Sequence, residues 1–88
     1  MASVPLSCLR KGAEVYIESI ADNPAFGVVD ATVGRRLADL GFSTGMPLKV
    51  VAVGAWGKGP FAVCLDNQAQ FVLRAQEAAK VLCRLRGE

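Results

Sequence analysis

Side chains that could carry out chemistry are few in this chain. It has no histidine, three cysteines and eight carboxylates. Without an imidazole, neither a Ser/His/Asp nor a Cys/His nucleophilic arrangement can be assembled in its usual form. Zinc and non-haem iron sites lose their commonest ligand for the same reason. Cys8, Cys64 and Cys83 are odd in number and far apart, so they form neither a CxxC metal clip nor a disulfide framework. Cys64 lies between Val63 and Leu65, and Cys83 sits in an apolar alternation. Both read as small buried hydrophobes of a reducing compartment. A metal site assembled on folding from Cys8, Asp22 or Glu77 would take a divalent transition metal, but no ligand spacing supports it.

The carboxylates have ordinary roles. Asp30 suits a helix cap, Asp39 a helix surface, Asp66 a turn and Glu77 a first helical turn. The run Gly54-Ala55-Trp56-Gly57-Lys58-Gly59 is glycine-rich, but a phosphate loop must lead into a helix, and here a strand follows. It reads as a barrel loop. Trp56 at its tip has two readings: an exposed anchor for a protein partner, or a lid folded back over the barrel end. Arg35 and Arg36 read either as a solvated helix face or as forks for an acidic partner surface. No active site is legible, and the chain is read as no enzyme.

The elements that must position these residues fit one domain over residues 1–88. A chain of this size buries about 60% of the surface it exposes when unfolded. With 52% hydrophobic residues, some apolar side chains should remain outside, which points to a partner surface. The net charge is +2, with ten basic residues scattered among eight acids. That is no basic stripe, so no nucleic-acid partner is expected. No apolar run approaches the ~20 residues of a membrane helix, and no signal peptide opens the chain. A soluble, cytoplasmic protein is expected.

Glu14 to Glu18 alternates polar and apolar residues and reads as a strand after a Lys11-Gly12 turn. Residues 21–27 read as a loop. Asp30 or Thr32 would cap a helix reaching about Leu40, with Val33, Leu37 and Leu40 on its inner face and Gly41 ending it. Arg35 or Arg36 could pair with Asp39 for about 0.2–0.5 kcal/mol, and Gly34 could permit close packing. Residues 43–47 read as a turn. Strands follow at 48–53, 61–65 and 70–73, the last two joined by a hairpin at Asp66-Asn67. Residues 75–79 suit one helical turn, and Val81, Cys83 and Leu85 mark a closing strand. This pattern is mainly β: about five strands with one inserted α-helix and a short helical turn near the C-terminus. It suggests a small barrel, whose closure would remove exposed edges.

One stretch is more specific. Arg36-Leu37-Ala38-Asp39-Leu40-Gly41-Phe42, then Thr44-Gly45 and the strand 48–53, resembles the FeoA family. Gly59-Pro60, Leu73-Arg74, Glu77-Ala78-Ala79 and Val81 follow in the family's order, and Leu9-Arg10-Lys11-Gly12 is similar to the family's opening Leu-x-x-Gly. The chain departs from the pattern in Thr44, where proline is usual, in the missing Asp near Lys58, and in a longer 21–31 segment.

The resemblance implies an SH3-like β-barrel and a non-enzymatic accessory role in bacterial ferrous iron uptake. The implied partner is FeoB, a membrane transporter with a cytoplasmic GTP-binding part. The expected contact residues are Arg35, Arg36 and Phe42 on and after the helix, and Trp56, Lys58 and Pro60 on the glycine-rich loop. A homodimer could form through exposed edges. The rival readings are a metal-binding or metal-sensing barrel using carboxylates and thiols, and a nucleic-acid-binding barrel, whose affinity would fall steeply with salt.

Overall fold

The computed structural model describes residues 3–66 and 68–86. Six strands form one antiparallel sheet: β1 (Val4–Pro5), β2 (Glu14–Ile20), β3 (Pro47–Val53), β4 (Phe61–Leu65), β5 (Gln70–Leu73) and β6 (Val81–Leu85). Their order is β1-β6-β2-β3-β4-β5. Two helices accompany them, α1 (Asp30–Asp39) and α2 (Ala75–Ala78). The fold is mainly β, as the alternation predicts.

Alternation places one face of every long strand inside. Val15 and Ile17 of β2, Leu48 and Val50 of β3, Phe61, Val63 and Leu65 of β4, and Val81 and Cys83 of β6 belong to a single buried cluster. Only Leu6, Leu9, Leu37, Phe42, Leu73 and Ala78 complete its fully buried part. So little else covers the inner face that the sheet must curl on itself to bury it. The hydrogen-bonded order nevertheless runs from β1 to β5 without joining its ends. Curling buries the core here, and the sheet is not sealed into an edgeless barrel.

Two bulges keep the correct side chains inward. The register between β2 and β6 shifts between Ile17 and Ser19, and that between β3 and β4 shifts between Val50 and Ala52. An extra residue reverses the inside–outside phase of a strand. Ile20 and Val53 therefore pack against the core, while Ser19 and Ala52 point outward.

Four expectations need correction. The first strand along the chain is β1, where the sequence carries no alternation; it pairs Val4 with Cys83 and Pro5 with Leu82. The segment read as a loop contains a 3-10 stretch, Pro24–Val29, kinked at Gly27. Asp30 does not cap α1, since the residue before the helix is Val29 with no side-chain cap. Leu40 is exposed rather than on the inner face, although Leu37 is buried and Val33 half-buried.

The end of α1 behaves as predicted. Gly41 has φ 111°. Its N–H donates to Ala38 C=O at 3.0 Å, and the Phe42 N–H donates to Leu37 C=O at 3.1 Å. This double bond pattern, with Leu37 and Phe42 buried together, is a Schellman ending. At the hairpin between β4 and β5 the left-handed residue among the described ones is Gln68, with φ 74°; of the Asp66-Asn67 pair expected in that role, Asp66 does not take it and Asn67 lies outside the described residues.

Candidate functional site

The loop between β3 and β4 is built on a tight neck. The Gly54 N–H donates to Pro60 C=O at 2.9 Å, and the Gly57 N–H donates to Gly54 C=O at 3.1 Å. A Cβ on Gly54 would stand 2.2 Å from the Gly59 carbonyl oxygen, so only glycine fits there. The Gly59–Pro60 peptide is cis. Above the neck Trp56 has φ 64° and is 91% exposed. Left-handed backbone is uncommon for a bulky side chain and costs on the order of 1–2 kcal/mol. Leaving an indole in water forgoes about 4–6 kcal/mol of burial. Of its two readings, the lid over the barrel end is excluded. Lys58 and Pro60, on the same loop, are also exposed.

Beside this neck lies a cavity of about 540 Å³. One wall is the chain from Ser7 to Lys11, and the other is Val53, Gly54 and Gly57. Leu9 and Val53 make it partly apolar; Arg10 and Lys11 make it cationic, and no carboxylate lines it. A second cavity of about 260 Å³ carries both charge signs, with Lys49 and Arg86 facing Glu14 and Asp66. Its Arg86 is already engaged, donating to Val15 C=O at 3.2 Å and paired with Glu14 at 3.4 Å.

Arg35 and Arg36 are exposed on α1, away from the loop in sequence and on a different element. Among the described residues the ion pairs are Lys80–Asp30 and Arg86–Glu14, so the expected pairing with Asp39 is not made. Phe42 is 1% exposed, and its ring lies 5.3 Å from that of Phe71. A side chain buried this way supports α1 from beneath and cannot itself touch a partner, which corrects its expected contact role.

The sequence reading missed Lys80, the one buried charged residue among those described. Its Nζ pairs with the Asp30 carboxylate and lies 5.7 Å from the centre of the Phe26 ring. The same Asp30 oxygen accepts the Asn23 N–H at 3.0 Å, and Asn23 Nδ2 donates to Gln76 C=O at 3.0 Å. This network ties the long 21–30 segment to the start of β6. The Lys80 hydrogen bond holds the Asp30 carboxyl below its ordinary value of 3.8; partial burial opposes this and the Asn23 N–H reinforces it. A lysine interrupting the apolar run from Ala78 to Cys83 was the available signal.

The candidate metal ligands do not converge. Cys8 and Asp22 are exposed on separate segments, and Glu77 Oε1 accepts the Arg74 N–H at 2.9 Å. Burial pushes the Cys83 thiol up to about 12, which removes its thiolate at neutral pH. Cys64 is half-buried, not fully buried as its neighbours suggest. Among the described residues no group of three or more Cys, Asp or Glu could hold a metal ion.

Residues 4–85 match the FeoA domain family. The chain belongs to the FeoA family. The FeoA of Stenotrophomonas maltophilia, solved as a zinc complex and described as a prokaryotic SH3 domain protein, is 32% identical over 94% of this chain and 89% of that one, with a TM-score of 0.74. The FeoA protein of Chlorobium tepidum is 28% identical over 96% and 71%, with a TM-score of 0.72. A manganese-dependent transcriptional repressor bound to manganese shares the fold alone: 22% identity, TM-score 0.80, covering 97% of this chain but 37% of the repressor. No protein among curated sequences matches the chain. The FeoA family and its SH3-like fold thus agree with the mainly β sheet. The longer 21–31 segment, a departure from the family pattern, is the one that the Lys80–Asp30 network holds in place. No helix among the described residues is long and apolar enough to cross a membrane.

Proposed function

We propose that this FeoA chain is a non-enzymatic accessory protein of ferrous iron uptake that binds the cytoplasmic part of a FeoB-type transporter and supports or regulates transport. The observation that carries this reading is Trp56, an indole held out in water on a constrained loop. An exposed aromatic with a charged rim is the usual core of a docking surface. Family membership supports the iron pathway, and the Stenotrophomonas relative is described as a candidate ferrous iron transport activating factor. Trp56, Lys58 and Pro60 form one contact element in this reading, and Arg35 and Arg36 on α1 a second. Both would act on the cytoplasmic side of the membrane.

The test is a titration of the isolated cytoplasmic FeoB part into this chain, followed by the emission of Trp56, the only tryptophan. Association should appear below ~100 µM, a range that covers weak micromolar complexes. Trp56→Ala, followed by calorimetry because it removes the reporter, should weaken binding by about tenfold or more, as truncating an anchor residue does. No association at that concentration would remove the reading. The metal-sensing alternative rests on the zinc complex of the Stenotrophomonas protein. It requires stoichiometric zinc binding that Cys8→Ser abolishes.

A further inference from the structure

The cavity beside the Trp56 loop has a chemistry that selects its occupant. Gly12 and Ala13 bond Val50 at 2.7 and 2.9 Å, and next to those bonds the 7–11 segment and Val53, Gly54 and Gly57 line the open space. Its lining combines apolar Leu9 and Val53 with cationic Arg10 and Lys11, and contains no acid. Trp56 stands between Gly54 and Gly57, both of which line the cavity, and Lys58 follows on the same loop. Two cations, Arg10 and Lys11, therefore line one partly apolar opening, and the exposed indole and Lys58 belong to the loop whose Gly54 and Gly57 form its other wall.

We infer that this cavity receives an extended acidic segment of a protein partner, with one large apolar side chain entering between Leu9 and Val53. Carboxylates on either side of that side chain meet Arg10, Lys11 and Lys58, and the Trp56 indole covers it. Charge decides against a second copy of this chain as occupant. The loop that would insert its own Trp56 also carries Lys58, and would bring that cation against Arg10 and Lys11. A lipid surface is the remaining alternative occupant, and the vesicle probe below tests it directly. The inference rests on the reading that this chain works by docking. It adds where the partner sits and what chemistry it presents.

The experiment uses the full chain and three probes. The first is a nonapeptide of Asp and Glu with a single central Phe; the second is the same peptide with Lys in place of every acid; the third is phosphatidylglycerol vesicles. The acidic peptide should shift the Trp56 emission to the blue with a saturable micromolar-to-millimolar curve. Raising salt from ~50 to ~500 mM should weaken it severalfold, because exposed charges are screened. The double variant R10E/K11E should weaken it at least tenfold. Both side chains are exposed, so its melting temperature should match the wild type and confirm an intact fold. The basic peptide should give no shift. Equal binding by R10E/K11E, no shift at ~1 mM acidic peptide, or a response to vesicles alone would each overturn the inference. Adding the cytoplasmic FeoB part separates the two readings. Binding of FeoB that ignores R10E/K11E leaves the transporter reading standing and removes this one; acidic-peptide binding without FeoB binding does the reverse.

Discussion

At the scale of single residues, the most consequential contact is Lys80 with Asp30. Lys80 is 1% exposed, whereas the Asp30 side chain keeps 18% of its surface in water. The two partners are therefore not equivalent. Asp30→Asn leaves a buried ammonium without its counter-charge, facing a neutral amide and the Phe26 ring, while Lys80→Met removes the charge and leaves a carboxylate that water and the Asn23 N–H can still satisfy. Asp30→Asn should lower the urea midpoint more than Lys80→Met. Acid should act through the same group. A carboxyl with a folded value below its unfolded 3.8 contributes stability above 3.8, and that contribution is lost as pH falls through the lower folded value. The wild-type midpoint should drop across that window, and Asp30→Asn should flatten this part of the profile. A variant that keeps the full wild-type acid slope would show that Asp30 is not the group responsible. Little of this was legible beforehand. Asp30 reads from sequence as a helix cap, and its partner lies fifty positions away, beyond the reach of any local pattern.

At the scale of elements, the two instructive glycines make opposite demands. Gly34 lies in α1, and a Cβ there would meet Ile20 and the Lys80 side chain at 3.7 Å, an ordinary contact. Close packing, the role suggested by its position, is therefore not the constraint. Gly34→Ala should stabilise the domain by about 0.5–1 kcal/mol, the helix-propensity difference. Gly54 is the reverse case, with its Cβ direction blocked at 2.2 Å by backbone. Gly54→Ala should cost about 1–3 kcal/mol, as overpacking does, and should release the neck under Trp56, seen as a change in its emission. Chemical denaturation of both variants checks the signs. The strands 61–65 and 70–73, the α1 ending at Gly41 and the single turn of α2 were all readable, because each depends on neighbours in the chain. The bulges, the 3-10 stretch at Pro24–Val29 and the cavity were not. They arise where one segment meets another, and period-2 alternation carries no trace of a register shift between distant strands.

At the scale of the whole molecule, the unforeseen part is how the open sheet is completed at its N-terminal end. The sequence reading placed no element before residue 9, since a two-residue strand and one 3-10 turn have no periodicity to detect. Yet Leu6 is fully buried and Leu9 nearly so, both inside the same cluster as Phe61 and Val63. The turn Leu6–Cys8 packs against α2 and β6, so it joins the two ends of the chain. This places the wall of the cationic cavity, residues 7–11, directly on a core anchor. Leu6→Ala should therefore cost as much as an interior strand substitution, about 2–5 kcal/mol. For a domain of this length, whose total stability is on the order of 4–13 kcal/mol, that is a large share. The comparison variant is Val72→Ala, on β5 and 69% exposed, which should fall within about 0.5 kcal/mol of wild type. Urea unfolding of the pair decides the matter: a Leu6→Ala midpoint close to that of Val72→Ala would mean that the N-terminal segment rests on the barrel without holding it, and that the cavity wall is free to move.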